Sequence, residues 1–277
     1  MCWYDMYKEH PVFKKPEDEN VKIWRYMKFN RFESMLRMKT LFFARLDILV
    51  DTFEGTLSKV NCDPNLKRKI MSEGKITEHQ FQQNLQNLRK HEEIFNREIR
   101  KGVAINCWHI KNYETANMWE RYKKEKKEIA IQSTYRRLAD SFHEDKENEE
   151  FIGCVKYIDH EKESHQSDTI HGHINILDPF SCKQKSYEID KELRVLILKL
   201  PIKEMVIDNK TLTKLNCATA FSGNGLLVPV NLDTLIQKVF VSPEAEEWLY
   251  ELVKSIVEKY EIKKDVIKSS LADDPIF

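Results

Sequence analysis

The sequence predicts an α+β fold, with a central mixed, largely antiparallel sheet and helices packed around it. Three observations predict it. Segments with apolar residues at helical spacing interleave with segments that alternate, along all 277 residues. Several late strands follow one another with short connections, which favours antiparallel pairing over helical crossovers. Gly and Pro number only 7 and 8, so long disordered linkers are not expected.

Residues 1–20, polar and broken by Pro11 and Pro16, read as an N-terminal arm, and 21–277 as a single domain. Residues 21–27 read as a strand. Residues 29–38 place Phe29, Phe32, Met35 and Leu36 near one helix face, and 40–44 read as a buried strand before a loop over 45–56. Asp63-Pro64 reads as a helix start, and a long helix near 64–100 presents Phe81, Leu85, Leu88, Phe95 and Ile99 as an apolar stripe ended by Gly102. A strand over 103–110, a helix up to 122, a strand over 128–132 and a short helix over 135–142 follow. Residues 151–158 read as one strand, 160–181 as the least regular stretch, and 187–200 as a strong strand ended by Pro201. Strands at 226–232 and 239–242 precede a C-terminal helix near 243–260, with Trp248, Leu249, Leu252, Ile256 and Val257 on its inner face.

Composition narrows the function. Lys plus Arg and Asp plus Glu are both 45, so no global field draws the chain to nucleic acid or to an anionic membrane. No apolar run approaches the ~20 residues that span a bilayer. The first residues have no basic segment followed by an apolar one, and the six cysteines form no C-x-x-C pair, so free thiols in a cytoplasmic setting are expected. Oligomeric state has no signature.

The chemistry-bearing residues cluster in short runs that pair aromatics with charges. They are Ile23-Trp24-Arg25-Tyr26-Met27, Asp51-Thr52-Phe53-Glu54-Gly55, Cys107-Trp108-His109, Met118-Trp119-Glu120-Arg121-Tyr122 and Asp190-Lys191-Glu192-Leu193-Arg194. Rings with one polar handle suit the wall of a pocket, and a charge beside such a wall is a surface group or a desolvated, tuned one.

Each run has a bland reading beside a functional one. Arg25 is a carboxylate partner or an anion clamp, and Tyr26 a core ring or a stacking surface. On a strand the two point to opposite faces, so one of them faces a given pocket. Asp51 and Glu54 flank a turn in which Gly55 takes a positive φ, or they present paired carboxylates at the mouth of a cleft. Glu192 and Arg194, two apart on a strand, share a face as a salt bridge or as a site acid with its neighbour. Trp108, Trp119 and Tyr122, with Phe53, are core rings or stack on a flat ligand. His160, His165, His171 and His173 with Cys182 fit no closed zinc pattern, and no metal site is expected. Cys107 and His109 resemble a thiol and base without a third orienting group. Phosphate-loop and dinucleotide fingerprints are absent.

In order and spacing these runs resemble a prokaryotic domain-of-unknown-function family, over about residues 21–271. Its members often carry N-D-P-F-E or G-D-P-F-E in the early loop. The resemblance assigns positions without a reaction: Arg25, Tyr26, Asp51, Phe53, Glu54, Cys107, Trp108, Met118, Trp119, Tyr122, Glu192 and Arg194. The chain departs from the family at Thr52, where Pro is usual, at Gln184, where a second basic residue is usual, and at Asp190, where Glu is usual.

Three functions stay open. The first is an enzyme acting on a nucleotide-like substrate, NAD for example. Arg25 and Tyr26 on the first strand, an aromatic wall and Glu192 on a late strand are similar to the ADP-ribosyltransferase or NAD-glycohydrolase plan. That plan fits a bacterial toxin or anti-phage effector. The second is a non-catalytic ligand-binding or sensor module using the same pocket. The third is a metal-dependent nuclease using Asp51, Glu54 and Glu192. Arg25, Asp51, Glu54, Glu192 and Arg194 are the candidate catalytic residues, and Tyr26, Phe53, Trp108, Trp119 and Tyr122 the candidate ligand-binding ones.

Overall fold

In the computed structural model a nine-stranded sheet runs through a mixed α+β fold. The structure describes residues 10–59, 97–123, 127–142, 147–163, 176–207 and 210–271, with isolated positions at 79, 82, 83, 86, 145 and 165. Most of the expected helix near 64–100 and half of the expected arm lie outside the described residues, as do His171 and His173.

Along the chain the order is β1 (Lys22–Lys28), α1 (Phe29–Met38), β2 (Thr40–Arg45), β3 (Val103–Ile110), α2 (Ala116–Tyr122), β4 (Glu128–Thr134) and α3 (Tyr135–Asp140). Then come β5 (Glu150–Cys154), β6 (Lys156–Ile158), α4 (Asp178–Ser181), β7 (Cys182–Gln184), β8 (Glu192–Leu198), β9 (Ile202–Ile207) and β10 (Lys210–Leu215). The last are β11 (Gly225–Pro229), α5 (Leu232–Leu235), β12 (Lys238–Val241), α6 (Glu247–Lys259) and β13 (Val266–Lys268).

The large sheet runs β11-β2-β3-β1-β4-β12-β13, with β8 and β5 continuing from the other edge of β3. Its pairs are antiparallel except β12 with β13. β9 and β10 form a separate hairpin, and β6 pairs with β7 in parallel.

One feature of the register creates a cleft. β8 lines β3 along the whole span from Val103 to His109. β1 and β2 must therefore share the opposite edge, and they meet it only at its two ends. β2 pairs at Ala44–Ile105 and Arg45–Ala104, and β1 at Ile23–Ile110 and Trp24–His109. Between these contacts Asn106, Cys107 and Trp108 have no strand partner on that edge, and the sheet forks.

Two apolar layers cover the faces. Ile23, Met27 and Phe32 pack with Trp108, Tyr135 and the α6 residues Leu249, Val253 and Val257 on one side. On the other, α2 lays Met118 and Trp119 over Trp24 and Tyr26. A third cluster joins Leu46, Ile99, Val103, Ile105, Phe180 and Leu196 beside the fork.

Some local expectations change. The α6 stripe that is buried is Leu249, Val253 and Val257, spaced by four, whereas Trp248 and Leu252 flank it and are exposed. Residues 150–158 form two strands in different sheets, divided at Val155, whose N–H donates to Glu192 O at 2.9 Å. Residues 185–190 coil as a 3-10 turn, and the left-handed Lys191 (φ 43) starts β8 later than alternation implies.

Candidate active site

The fork opens into a cavity of about 690 Å³. Its floor is the β3/β8 surface bearing Ile105, Cys107, His109 and Glu192. One wall is the edge of β1 at Arg25 and Tyr26 with Tyr122 of α2, and the other is the 49–54 loop facing Lys183, Tyr187 and Asp190.

Arg25 spans the gap in the sheet. Its Nη1 donates to Cys107 O at 2.8 Å and to Asn106 Oδ1 at 2.9 Å, replacing the ladder bond that β1 does not make there. Asn106 ties the other strand, donating through Nδ2 to Phe42 O at 2.9 Å, and its Oδ1 also accepts from Trp108 Nε1 at 2.8 Å. Because the cavity lies at the parted edge of β1 rather than on one face, both Arg25 and Tyr26 reach it. The expectation that one of them would face a pocket assumed an intact sheet.

A buried charge network forms the floor. Arg194, 0% exposed, donates through Nε to Glu192 Oε1 at 2.9 Å, through Nη1 to Phe180 O at 2.8 Å and through Nη2 to Glu54 Oε1 at 3.2 Å. Lys183 Nζ lies 2.9 Å from Glu192 Oε2 and 3.5 Å from both Glu54 Oε1 and Asp190 Oδ2. Arg121 Nη1 closes on Asp190 Oδ1 at 2.7 Å. Removing such charges from water is costly, so the pairing is obligatory here.

The network fixes protonation. Burial pushes the Glu192 carboxyl up, but Arg194 and Lys183 outweigh it and hold it near 2. Burial pushes Lys183 down, and Glu192 and Glu54 more than reverse that. Burial and the Glu192 charge push the Cys107 thiol far up, so it is a neutral group at pH 7 and not a thiolate nucleophile. Burial lowers His109, against Asp190 and Glu192, which raise it.

The early loop is built as a turn that aims an acid inward. Asp51 Oδ1 accepts from Phe53 N at 2.9 Å, and Glu54 N donates to Asp51 O at 3.4 Å. Gly55 takes φ 75, and a Cβ there would sit 2.4 Å from Leu46 Cδ2. The turn reading and the inward-carboxylate reading thus hold together. Glu54 is 4% exposed, and its Oε2 has no hydrogen-bond partner among the described residues; Asp51 Oδ2 is also buried without one.

Arg25, Asp51, Glu54 and Glu192 line one cavity, with Arg194 packed beneath it. Tyr26 and Tyr122 line it as stacked rings 5.9 Å apart, with Trp119 edge-on to Tyr26 at 4.9 Å. Trp108 and Trp119 are buried in the apolar layers, and Trp119 Nε1 donates to Glu114 Oε2 at 2.8 Å. Phe53 is half-exposed and meets His160 at 5.9 Å rather than lining the cavity.

Further residues line the cavity, His109, Arg121, Lys183, Tyr187 and Asp190 among them. Tyr187 arrives through the 3-10 turn at 185–190, where the sequence read a strand from 187. Arg121 stood inside an aromatic run, and Lys183 precedes Gln184, the position where the resemblance implies a second basic residue. Gln184, at the departure, binds His160 Nδ1 through Oε1 at 2.7 Å. Among the described residues no group of three or more His, Cys, Asp or Glu is arranged to hold a metal ion. No described helix is long and apolar enough to cross a membrane.

No family model matches the chain, and no curated protein matches it. Two solved structures of Thermus sp. 2.9 DarT are similar to it. The complex with NAD+ matches at 8% identity over 92% of this chain and 98% of that one, with a TM-score of 0.37. The complex with carba-NAD+ matches at 8% identity over 91% and 96%, with a TM-score of 0.35. Likeness at this level carries no argument about what this chain binds.

Proposed function

We propose that the cavity binds a nucleotide, NAD in the first instance, and cleaves its N-glycosidic bond, as an ADP-ribosyltransferase or NAD glycohydrolase would. The observation that carries this reading is the opening of Arg25 and Glu192, from strands on opposite edges of β3, onto one tyrosine-lined cavity. A pocket of several hundred Å³ that combines flat rings with convergent charges of both signs suits such a ligand.

The roles follow from the chemistry. Arg25 uses Nη1 to hold the fork, and the rest of its planar guanidinium offers donors to a phosphate. Tyr26 and Tyr122 offer faces to a flat base. Asp51 Oδ2 and Glu54 Oε2, buried without hydrogen-bond partners among the described residues, are acceptors for sugar hydroxyls. Glu192, held ionised, stabilises positive charge developing at the anomeric carbon. Arg194 is a positioning residue that fixes the rotamers of Glu192 and Glu54. A toxin or phage-defence effector is the setting such chemistry would serve.

A specific observation favours the second reading, a ligand-binding module without turnover. Both Glu192 oxygens are already engaged, by Arg194 and Lys183, which dilutes the negative charge offered to a substrate. The nuclease reading finds no donor set among the described residues.

Thermal shift and nicotinamide release with NAD+ test the first two readings together. An NAD-dependent rise in melting temperature, with nicotinamide release that Glu192→Gln abolishes, supports the proposal. Binding without release moves the protein to the second reading. Absence of both, in wild type, sinks the nucleotide reading.

A further inference from the structure

We propose that His109 is the proton acceptor of this cavity, taking the proton from the water or hydroxyl group that attacks the sugar carbon. The proposal rests on the N-glycosidic reading above and adds a residue and a second-substrate class to it.

Geometry fixes which ring nitrogen is basic. His109 Nδ1 lies 3.1 Å from the backbone oxygen of Asp190. A carbonyl only accepts, so Nδ1 carries the hydrogen and Nε2 carries the lone pair. The ring is 6% exposed and forms part of the cavity lining. β3 holds it from below, paired with Trp24 on one edge and with Glu192 on the other.

The charged and titratable groups around it come from every neighbouring element. Tyr26 of β1 meets the ring edge-on at 6.4 Å. Glu192 of β8 and Asp190 of the 3-10 turn favour the imidazolium, Arg121 of α2 opposes it, and burial, the largest influence, disfavours it. The result is a neutral imidazole at pH 7 with a free lone pair.

Several other ionisable groups that line the cavity are already paired or held protonated. Glu192 has Oε1 on Arg194 and Oε2 on Lys183. Asp190 has Oδ1 on Arg121 and Oδ2 near Lys183. The Cys107 thiol and the Tyr26 phenol are both held protonated by burial. Asp51 and Glu54 each keep one oxygen without a hydrogen-bond partner among the described residues, and the reading above assigns those two oxygens to sugar hydroxyls.

The step balances without an oxidant or reductant. The bond between the anomeric carbon and the nicotinamide nitrogen breaks, and its electron pair leaves with nicotinamide as a neutral molecule. A bond forms from the attacking oxygen to that carbon, and the oxygen's proton passes to His109 Nε2 and then to solvent.

The test compares wild type, His109→Gln and His109→Ala for NAD+ affinity and nicotinamide release between pH 5 and 8, with melting curves to confirm folding. In wild type the rate should rise with pH through an inflection below 6.5 and then level. The variants should lose about 10²–10⁴-fold in rate and the inflection with it, while NAD+ affinity changes only a few-fold. Added imidazole should restore part of the rate to His109→Ala. A variant that keeps its rate or its inflection overturns the assignment of His109 alone. Wild type that binds and cleaves no NAD+ overturns the N-glycosidic reading, and this proposal with it. A ¹⁵N-histidine spectrum at pH 7 with His109 protonated on Nε2 overturns the tautomer and hence the base.

Discussion

Arg194 donates through Nε to Glu192 Oε1 at 2.9 Å and brings Nη2 to 2.8 Å from the same oxygen as an ion pair, from a position with no solvent exposure. The same guanidinium holds Glu54, from a loop far away in sequence. Removing it leaves two carboxylates buried beside Lys183 alone. Arg194→Met is expected to destabilise the protein by about 3–5 kcal/mol. The double variant with Glu54→Gln should recover part of that, because one of the stranded charges is gone. Urea denaturation measures both, and a single-variant loss below about 1 kcal/mol would show that the two carboxylates do not depend on Arg194.

Gly55 sets the direction of Glu54. At φ 75 a side chain is strained, and a Cβ would also meet Leu46 Cδ2 at 2.4 Å and the Phe180 ring at 2.9 Å. Gly55→Ala is expected to cost about 2–3 kcal/mol, backbone strain plus overpacking. It should also weaken ligand binding, since the loop must shift to relieve the clash. Gly223→Ala is the control: φ is 67, but nothing lies within 4 Å of the added Cβ. That variant should show only the backbone part, about 1 kcal/mol. Equal losses at both sites would remove the packing argument for the loop.

Glu150 gives a pH signature of the opposite kind to Glu192. Burial and the neighbouring Asp145 carboxylate push its carboxyl up to about 8. A raised folded value means the native state keeps a proton that the unfolded chain has given up. Stability from this group is complete below about 4.5 and is lost as pH rises towards 8. Glu150→Gln should therefore be more stable than wild type at pH 8–9, by about 2 kcal/mol after allowance for screening, with the difference closing by pH 4–5. A difference that does not change with pH would mean that Glu150 is not the titrating group.

The sheet and its helices were legible because local pattern decides them: Phe29, Phe32, Met35 and Leu36 share a helix face, and the run from Val103 to Ile110 has little polar to interrupt it. The fork was not legible. It depends on β1 and β2 sharing one edge of β3, a long-range register that no local pattern encodes. Arg25 and Glu192 could be named from their runs, yet only the fork brings them to one cavity. His109 could be read from the sequence as the base of a Cys/His pair, but its tautomer could not, because that is set by the Asp190 carbonyl, placed by a 3-10 turn where alternation suggested a strand. Trp108 and Trp119 show the converse: their runs resembled pocket walls, but the same rings fill the layers on either side of the sheet.

His165 couples the Glu54 loop to pH. Its Nδ1 accepts from Ser58 N at 3.1 Å, and the adjacent Lys59 N donates to His160 O at 2.9 Å, so the end of the loop is pinned to the 160–165 segment. Burial, with His160 and Lys156 nearby, lowers His165 to about 4. A histidine lowered in the fold binds fewer protons than in the unfolded chain. Stability is complete above about 6.5 and falls as pH drops towards 4, by about 2–3 kcal/mol over the window. Protonation also fills the Nδ1 lone pair that holds Ser58, so the loop bearing Glu54 and Asp51 should loosen in the same window. Chemical denaturation between pH 4 and 7 should show this slope in wild type and a flatter one in His165→Gln, and NAD+ affinity should fall in parallel. An unchanged slope in the variant would assign the acid sensitivity to another group and leave the loop independent of this histidine.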